Sequence, residues 1–346
     1  MAPDQPRQRP SQRSGNPSVR GRAQPPRSAP SRPTSPPKEV LPGELPADGV
    51  AYPLALRNAQ TVWWRSVLGA LFGLSLYLLL VSVVSQLVVR VGWTLTQPVD
   101  YRTYYTQAFA YERPIGLLAS NLGIATLIPI SLVLVLVIHR ARTRWLFSVL
   151  PGIRWRFLLA CLGTSTVVFI AIQVALEAYA SSGRVAPQAG FLAFLAVIVL
   201  TSPIQAAAEE IFFRGYLMQA LGSLVAQPWF GVVVSSVVFA LLHGTQNLPL
   251  FVDRLAFGLL AAVLVWRTGG LEAGIAAHVI NNVFAYVFAG ATTGIAALKA
   301  VREIGWLDAL FDVGGFAVFA VLAYLAFRAL KLRHVVDLDA AGTVVR

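Results

Sequence analysis

Charged side chains are scarce in this chain, 13% of 346 residues, where soluble domains carry about 25%. Cysteine occurs once. A lone Cys161 excludes an intramolecular disulfide and a zinc knuckle built on two thiols, and its apolar surroundings hold nothing that would activate it. Acidic residues are few as well, 16 against 28 lysines and arginines, for a net charge of +12. A nucleic-acid-binding protein shares that sign but not the long apolar runs found here, so the charge is read as membrane topology and nucleic acid is excluded as a partner. Period-two alternation is also absent, which leaves helices as the form in which the apolar runs meet lipid.

What is there begins with a tail. The first 48 residues hold 12 of the 21 prolines and eight basic residues, interleaved with serine and glutamine. Such a stretch buries no core and is expected to be disordered, a solvated extension that reinforces orientation. The first apolar run begins after residue 65 with no small-residue cleavage site behind it, so the N-terminus is expected to be retained.

With 56% hydrophobic residues, the rest of the chain gives eight apolar runs near the length needed to cross a bilayer. They are 66–89, 115–138, 157–179, 190–210, 228–246, 250–266, 271–290 and 307–327, the fourth continuing as a helical pattern through Leu221. The expected fold is all-α, a polytopic membrane helix bundle of about eight transmembrane helices behind a disordered basic N-terminal tail. Its parts are the tail (1–48), the N-terminal membrane helices (49–180), a core (190–290), and the last membrane helix with a C-terminal tail (291–346).

If the spans alternate, four basic clusters fall on one side. These are the tail with Arg57 and Arg65, the five arginines between His139 and Arg156, Arg267, and Arg328 with Lys331 and Arg333. The positive-inside rule makes that side cytoplasmic, with both termini on it, in a multi-pass protein of the cell membrane whose basic loops point to a bacterium. Trp63, Trp64, Trp93, Trp145 and Trp155 flank spans as interfacial anchors would. His139 and His334, among arginines, are expected at a solvated surface. Asp308 and Asp312 read as a hydrated rim, Asp253 and Arg254 as an interfacial helix entry, and Glu272 as an acid near a helix N-terminus.

Ionisable groups within apolar helices cost about 2.5–3.5 kcal/mol each on insertion scales, so each needs a reason. In AAAEEIFFRG, Glu210 and Arg214 stand four apart on one helix face and can pair, while Glu209 points about 100° away. The unpaired Glu209 is the first candidate for a general base. His243 ends the run VVVSSVVFALLH, four residues after Phe239, and His278 lies in GIAAHVINNVF with Asn282 one turn on. Two histidines, an asparagine and a glutamate in neighbouring spans are expected to form one site, with the fourth span centred near Glu209 so that all share a depth.

EEIFFR at 209–214, FALLH at 239–243 and HVINN at 278–282 resemble, in order and on successive apolar spans, the three motifs of the CPBP family. That family comprises the type II CAAX prenyl endopeptidases and bacterial relatives associated with bacteriocin processing and self-immunity. The resemblance covers roughly residues 190–290. It implies an eight-helix intramembrane endopeptidase in which Glu209 and His243 activate water while His278 and Asn282 stabilise the oxyanion. Glu210 and Arg214 complete the first motif, and Phe239 opens the second.

A metal stays open at this point. Glutamate plus two histidines is a three-ligand set suited to a divalent ion such as zinc, yet no HExxH spacing is present, and a glutamate-activated water fits equally well. The expected partners are membrane lipid and a protein or peptide substrate. A non-catalytic scaffold or immunity protein of the same fold is the alternative. A proton-coupled transporter is weakened because no second copy of the glutamate pair stands in the other half.

Overall fold

A computed structural model describes residues 45–58, 61–180 and 185–340. The proline- and arginine-rich tail lies outside these residues up to position 44. Leu45 is buried against the bundle together with Tyr52 and Val336.

The helices in chain order are α1 (Trp63–Thr96), α2 (Tyr101–Phe109), α3 (Pro114–Ala125), α4 (Leu127–Val137), α5 (Trp155–Ala180), α6 (Phe191–Glu210), a π-helical stretch (Ile211–Leu217), α7 (Met218–Val225), α8 (Pro228–Leu241), α9 (Leu248–Thr268), α10 (Glu272–Ala291), α11 (Ile295–Ala300) and α12 (Trp306–Ala329). Seven are long and apolar enough to cross a membrane, counting α3 with α4, and α6 through α7, as single spans. The chain is a multi-pass membrane protein built as an all-α bundle.

The fifth apolar run, 228–246, forms a shorter helix. Helix α8 has 14 residues, a rise of about 21 Å, less than the ~30 Å of a bilayer's hydrocarbon core. It stops because Gly244 turns the backbone to φ +80, and Asn247 then caps α9 by accepting from the Leu250 N–H. The irregular stretch 242–247 therefore stands at membrane depth, where backbone without helical partners is tolerated only beside protein or a water-filled cavity.

Burial explains the arrangement. Every residue from Ala208 to Ala220 is buried, so the α6–α7 rod is the axis of the bundle. It packs against α3 and α10 above the π stretch and against α1 and α8 below it. Phe212, Phe213, Tyr216 and Leu217 fill the core there with Leu127, Leu134 and Phe239. Helix α1, by contrast, exposes Leu71, Phe72, Leu78, Leu79 and Leu87, an apolar surface that lipid tails match as well as protein does.

The first and last described segments meet at one end of the bundle. Ala51 and Val335 form an antiparallel bridge, and the Tyr52 hydroxyl donates to the Leu146 carbonyl. Arg154 gathers the same end, donating to both Glu272 oxygens and to the carbonyls of Thr268 and Arg333. Glu272 thus has a stronger role than a helix-end charge: it is fully buried and ion-paired.

Two expectations fail here. Trp145 is buried, 1% exposed, and is no interfacial anchor. His139 is buried too, with Nε2 3.3 Å from the Tyr216 hydroxyl. Burial and the nearby Arg65 hold its pKa down to about 4. Both errors have one cause: the 139–156 loop folds back into the bundle instead of running over its surface.

Candidate active site

The α6 rod positions the first motif. Glu209 stands at the middle of the continuous rod from Phe191 to Val225, the centred arrangement expected from depth. The helix widens to π geometry directly after Glu210, a local change common at functional sites and invisible to a count of 3.6 residues per turn. Across that change Arg214 Nη1 still donates to Glu210 Oε1 at 2.9 Å. Its guanidinium lies over the Phe239 ring at 4.2 Å, a cation–π contact that helps hold a charge out of water.

Helix α10 brings His278 between the two glutamates. Nδ1 is 2.9 Å from Glu210 Oε1 and Nε2 is 3.2 Å from Glu209 Oε2. Glu209 is therefore not left free, as spacing within its own helix alone suggested. Close approach of α10 requires Gly274, because a Cβ there would stand 2.6 Å from Glu210 Oε2. Two carboxylates, one guanidinium and one imidazole balance to zero only if a single extra proton is shared along Glu209–His278. That proton sits where an acid–base step would use it.

His243 follows the end of α8. Its Nδ1 is 2.8 Å from the Phe239 carbonyl, so Nδ1 carries the hydrogen and Nε2 is left as an acceptor. Asn282 donates to Gln205 Oε1 at 2.9 Å and accepts from Asn281 at 3.2 Å. Gln205 was missed from the sequence. It is a buried amide four residues before Glu209 in an apolar helix, a spacing that places it on nearly the same face.

His243, His278 and Asn282 line one cavity of about 350 Å³ between α5, α8, α9, α10 and α12, with Phe239 in its wall. Glu209 stands behind His278, 8% exposed, and among the described residues its Oε1 accepts no hydrogen bond. No hydrogen bond joins His243 to the other three. Asp253, Arg254 and Asp312 line the same cavity, the first two half-buried near the start of α9 and Asp312 exposed at its rim.

A metal does not fit this geometry. Both ring nitrogens of His278 face carboxylate oxygens, leaving no lone pair for an ion, and His243 turns Nδ1 to the backbone. Among the described residues no three His, Cys, Asp or Glu side chains group as a metal site would need.

The same stretch of chain carries a family match. Residues 188–284 match the family model described as type II CAAX prenyl endopeptidase Rce1-like. A Bacillus subtilis (strain 168) relative, the uncharacterized protein YyaK, is 33% identical over 144 residues, 38% of this chain and 48% of YyaK. The chain thus spans about half the length of that curated relative. No solved structure matches. Both glutamates, His243, His278 and Asn282 all lie within the stretch 188–284 that is similar to this family.

Proposed function

We propose that the protein is an intramembrane endopeptidase that hydrolyses a peptide bond in a membrane-associated protein or peptide. The observation that carries this reading is the hydrogen-bonded run Arg214–Glu210–His278–Glu209 beside a cavity that also holds His243 and Asn282. Glu209 and the Nε2 acceptor of His243 take the proton of a water molecule as its oxygen attacks the carbonyl carbon. The second N–H of the Asn282 amide donates to the oxyanion, and the charge of His278, held between the two carboxylates, stabilises it. The proton held on Glu209 and His278 then passes to the leaving amide nitrogen, so that acid and base work cycle on one pair. Glu210 and Arg214 fix the orientation of His278 and leave the shared proton on its other side.

Both termini face the cytoplasm in this reading. The Ala51–Val335 bridge, which joins the first and last described segments, supports this, since Arg57, Arg142, Arg154, Arg267 and Arg333 belong to the basic clusters that the positive-inside rule assigns to the cytoplasm. The B. subtilis relative agrees with a bacterial membrane.

Glu209→Gln keeps the shape and removes the base. Cells with wild-type protein and cells with Glu209→Gln, at matched expression, are compared by mass spectrometry of new peptide termini in membrane and secreted proteins. Termini found only with wild type establish proteolysis and name the substrate. Matching profiles, with a deletion phenotype that Glu209→Gln rescues, would favour a non-catalytic scaffold instead.

A further inference from the structure

Among the described residues Arg154, Arg214 and Arg254 reach into the bundle, and the first two have carboxylate partners. Arg214 is paired with Glu210 and Arg154 with Glu272. Arg254, in the second turn of α9, has none: among the described residues no carboxylate stands within ion-pair distance of it, and its Nε is buried without a hydrogen-bond partner. Its guanidinium nevertheless lines the cavity that holds His243, His278 and Asn282. Asp253 is its neighbour in sequence, but successive helical residues point about 100° apart. Arginine does not shed its proton in a protein, so this half-buried charge persists in the cavity wall and calls for an anion.

We propose that Arg254 binds a carboxylate of the peptide substrate and so decides which peptides the cavity accepts. The ligand's being a peptide rests on the endopeptidase reading above. A guanidinium fork matches the two oxygens of a carboxylate. Around it the cavity is aromatic and aliphatic, with Phe257, Phe316 and Phe319 as seats for apolar side chains, and about 350 Å³ accommodates a short peptide segment. Asp253 and Asp312, in the same lining, disfavour a ligand of higher negative charge such as a phosphate dianion. The carboxylate has two sources, the free C-terminus of a chain or an aspartate or glutamate side chain, and both present the same group to Arg254. The competing account has Asp253 and Asp312 neutralise Arg254 through water, in which case the cavity has no preference for an acid.

The test is a fluorescence titration of the full-length protein in phospholipid nanodiscs. The probes are three dansyl tripeptides: Phe-Leu-Leu with a free carboxylate, the same peptide as its amide, and Phe-Asp-Leu as its amide. Wild type is expected to bind one acidic peptide at least about tenfold more tightly than the neutral amide. Which acid it prefers assigns the source. Arg254→Gln is expected to bind the neutral amide as before and to lose the preference, while Arg254→Lys, a point charge without the fork, keeps part of it. Equal binding of all three peptides by wild type, no binding of any, or a preference that survives in Arg254→Gln overturns the proposal. Should Arg254→Gln lose the neutral peptide too, Arg254→Lys decides: a partial preference upholds the proposal and none overturns it. The titration reads binding alone and is repeated with Glu209→Gln, which should keep the preference. A preference without any wild-type-dependent new termini in cells would therefore end the peptidase reading and leave the carboxylate site standing.

Discussion

Glu210 meets two cationic partners through one oxygen. Its Oε1 accepts from Arg214 and from His278, while Oε2 is buried with no protein partner. The side chain is fully buried, so it serves as the counter-charge that lets Arg214 exist inside the bundle. Glu210→Ala should leave that cation uncompensated and lower stability by about 3–5 kcal/mol, read as the shift of a denaturation midpoint in detergent. The apolar pair Glu210→Leu with Arg214→Met should regain most of the loss but no activity, since His278 stays unanchored. An equal loss in both variants would mean that packing, and not charge, dominates. The sequence made the Glu210–Arg214 pair legible because both groups lie on one helix, four residues apart. It could not show His278 between two carboxylates, which depends on the register of α10 against α6. Gln205 did leave a signal, a polar residue one turn from Glu209 in an apolar run. Arg254 and Asp312 were visible as intramembrane charges, but only the tertiary arrangement turns them into one cavity.

At the scale of elements, the site exists because one helix is short and two lie close. Had α8 continued to the full length of the 228–246 apolar run, His243 would sit on a helix flank. Its end at Leu241 instead sets the imidazole at a cavity edge, where the last turn's carbonyl fixes its tautomer. The polar stretch His243 to Asn247 carried the stop in the sequence, but the apolar run was extended across it to residue 246. The contact of α6 with α10 is as tight as glycine permits at position 274. Gly274→Ala places a methyl group against the Glu210 carboxylate, 2.6 Å from Oε2. The helices must separate or the carboxylate must rotate, at a cost of about 1–3 kcal/mol. Either response breaks the 2.9 Å contact of Glu210 with His278, so hydrolysis should fall well beyond what the stability loss explains. Equal turnover per folded molecule in Gly274→Ala and wild type would show that the Glu210–His278 contact is dispensable.

For the whole molecule, the eight apolar runs and four basic clusters were enough to give the helical, membrane-crossing architecture, because lipid leaves few alternatives. What they could not give was the contact between the segments before α1 and after α12. Segment 49–51 pairs with 335–336, and Arg154 ties the 139–156 loop to the turn after α9 and to Arg333. This end is a knot of separate chain segments, which brings Arg154 and Arg333 together. Beside the cavity, the Asn247 side chain holds the Ile304 backbone and thereby the segment after α11. An orientation follows that a reporter cysteine can read, because the native Cys161 is buried and silent. Lys331 and Glu303 are exposed at the two opposite ends. In intact cells a membrane-impermeant maleimide should label Glu303→Cys, while Lys331→Cys should react only once the membrane is opened. The reverse pattern would place the basic end outside against the positive-inside rule. Labelling of both from outside would mean that the number of crossings between them is even, which the single pass of α12 from residue 306 to 329 does not allow.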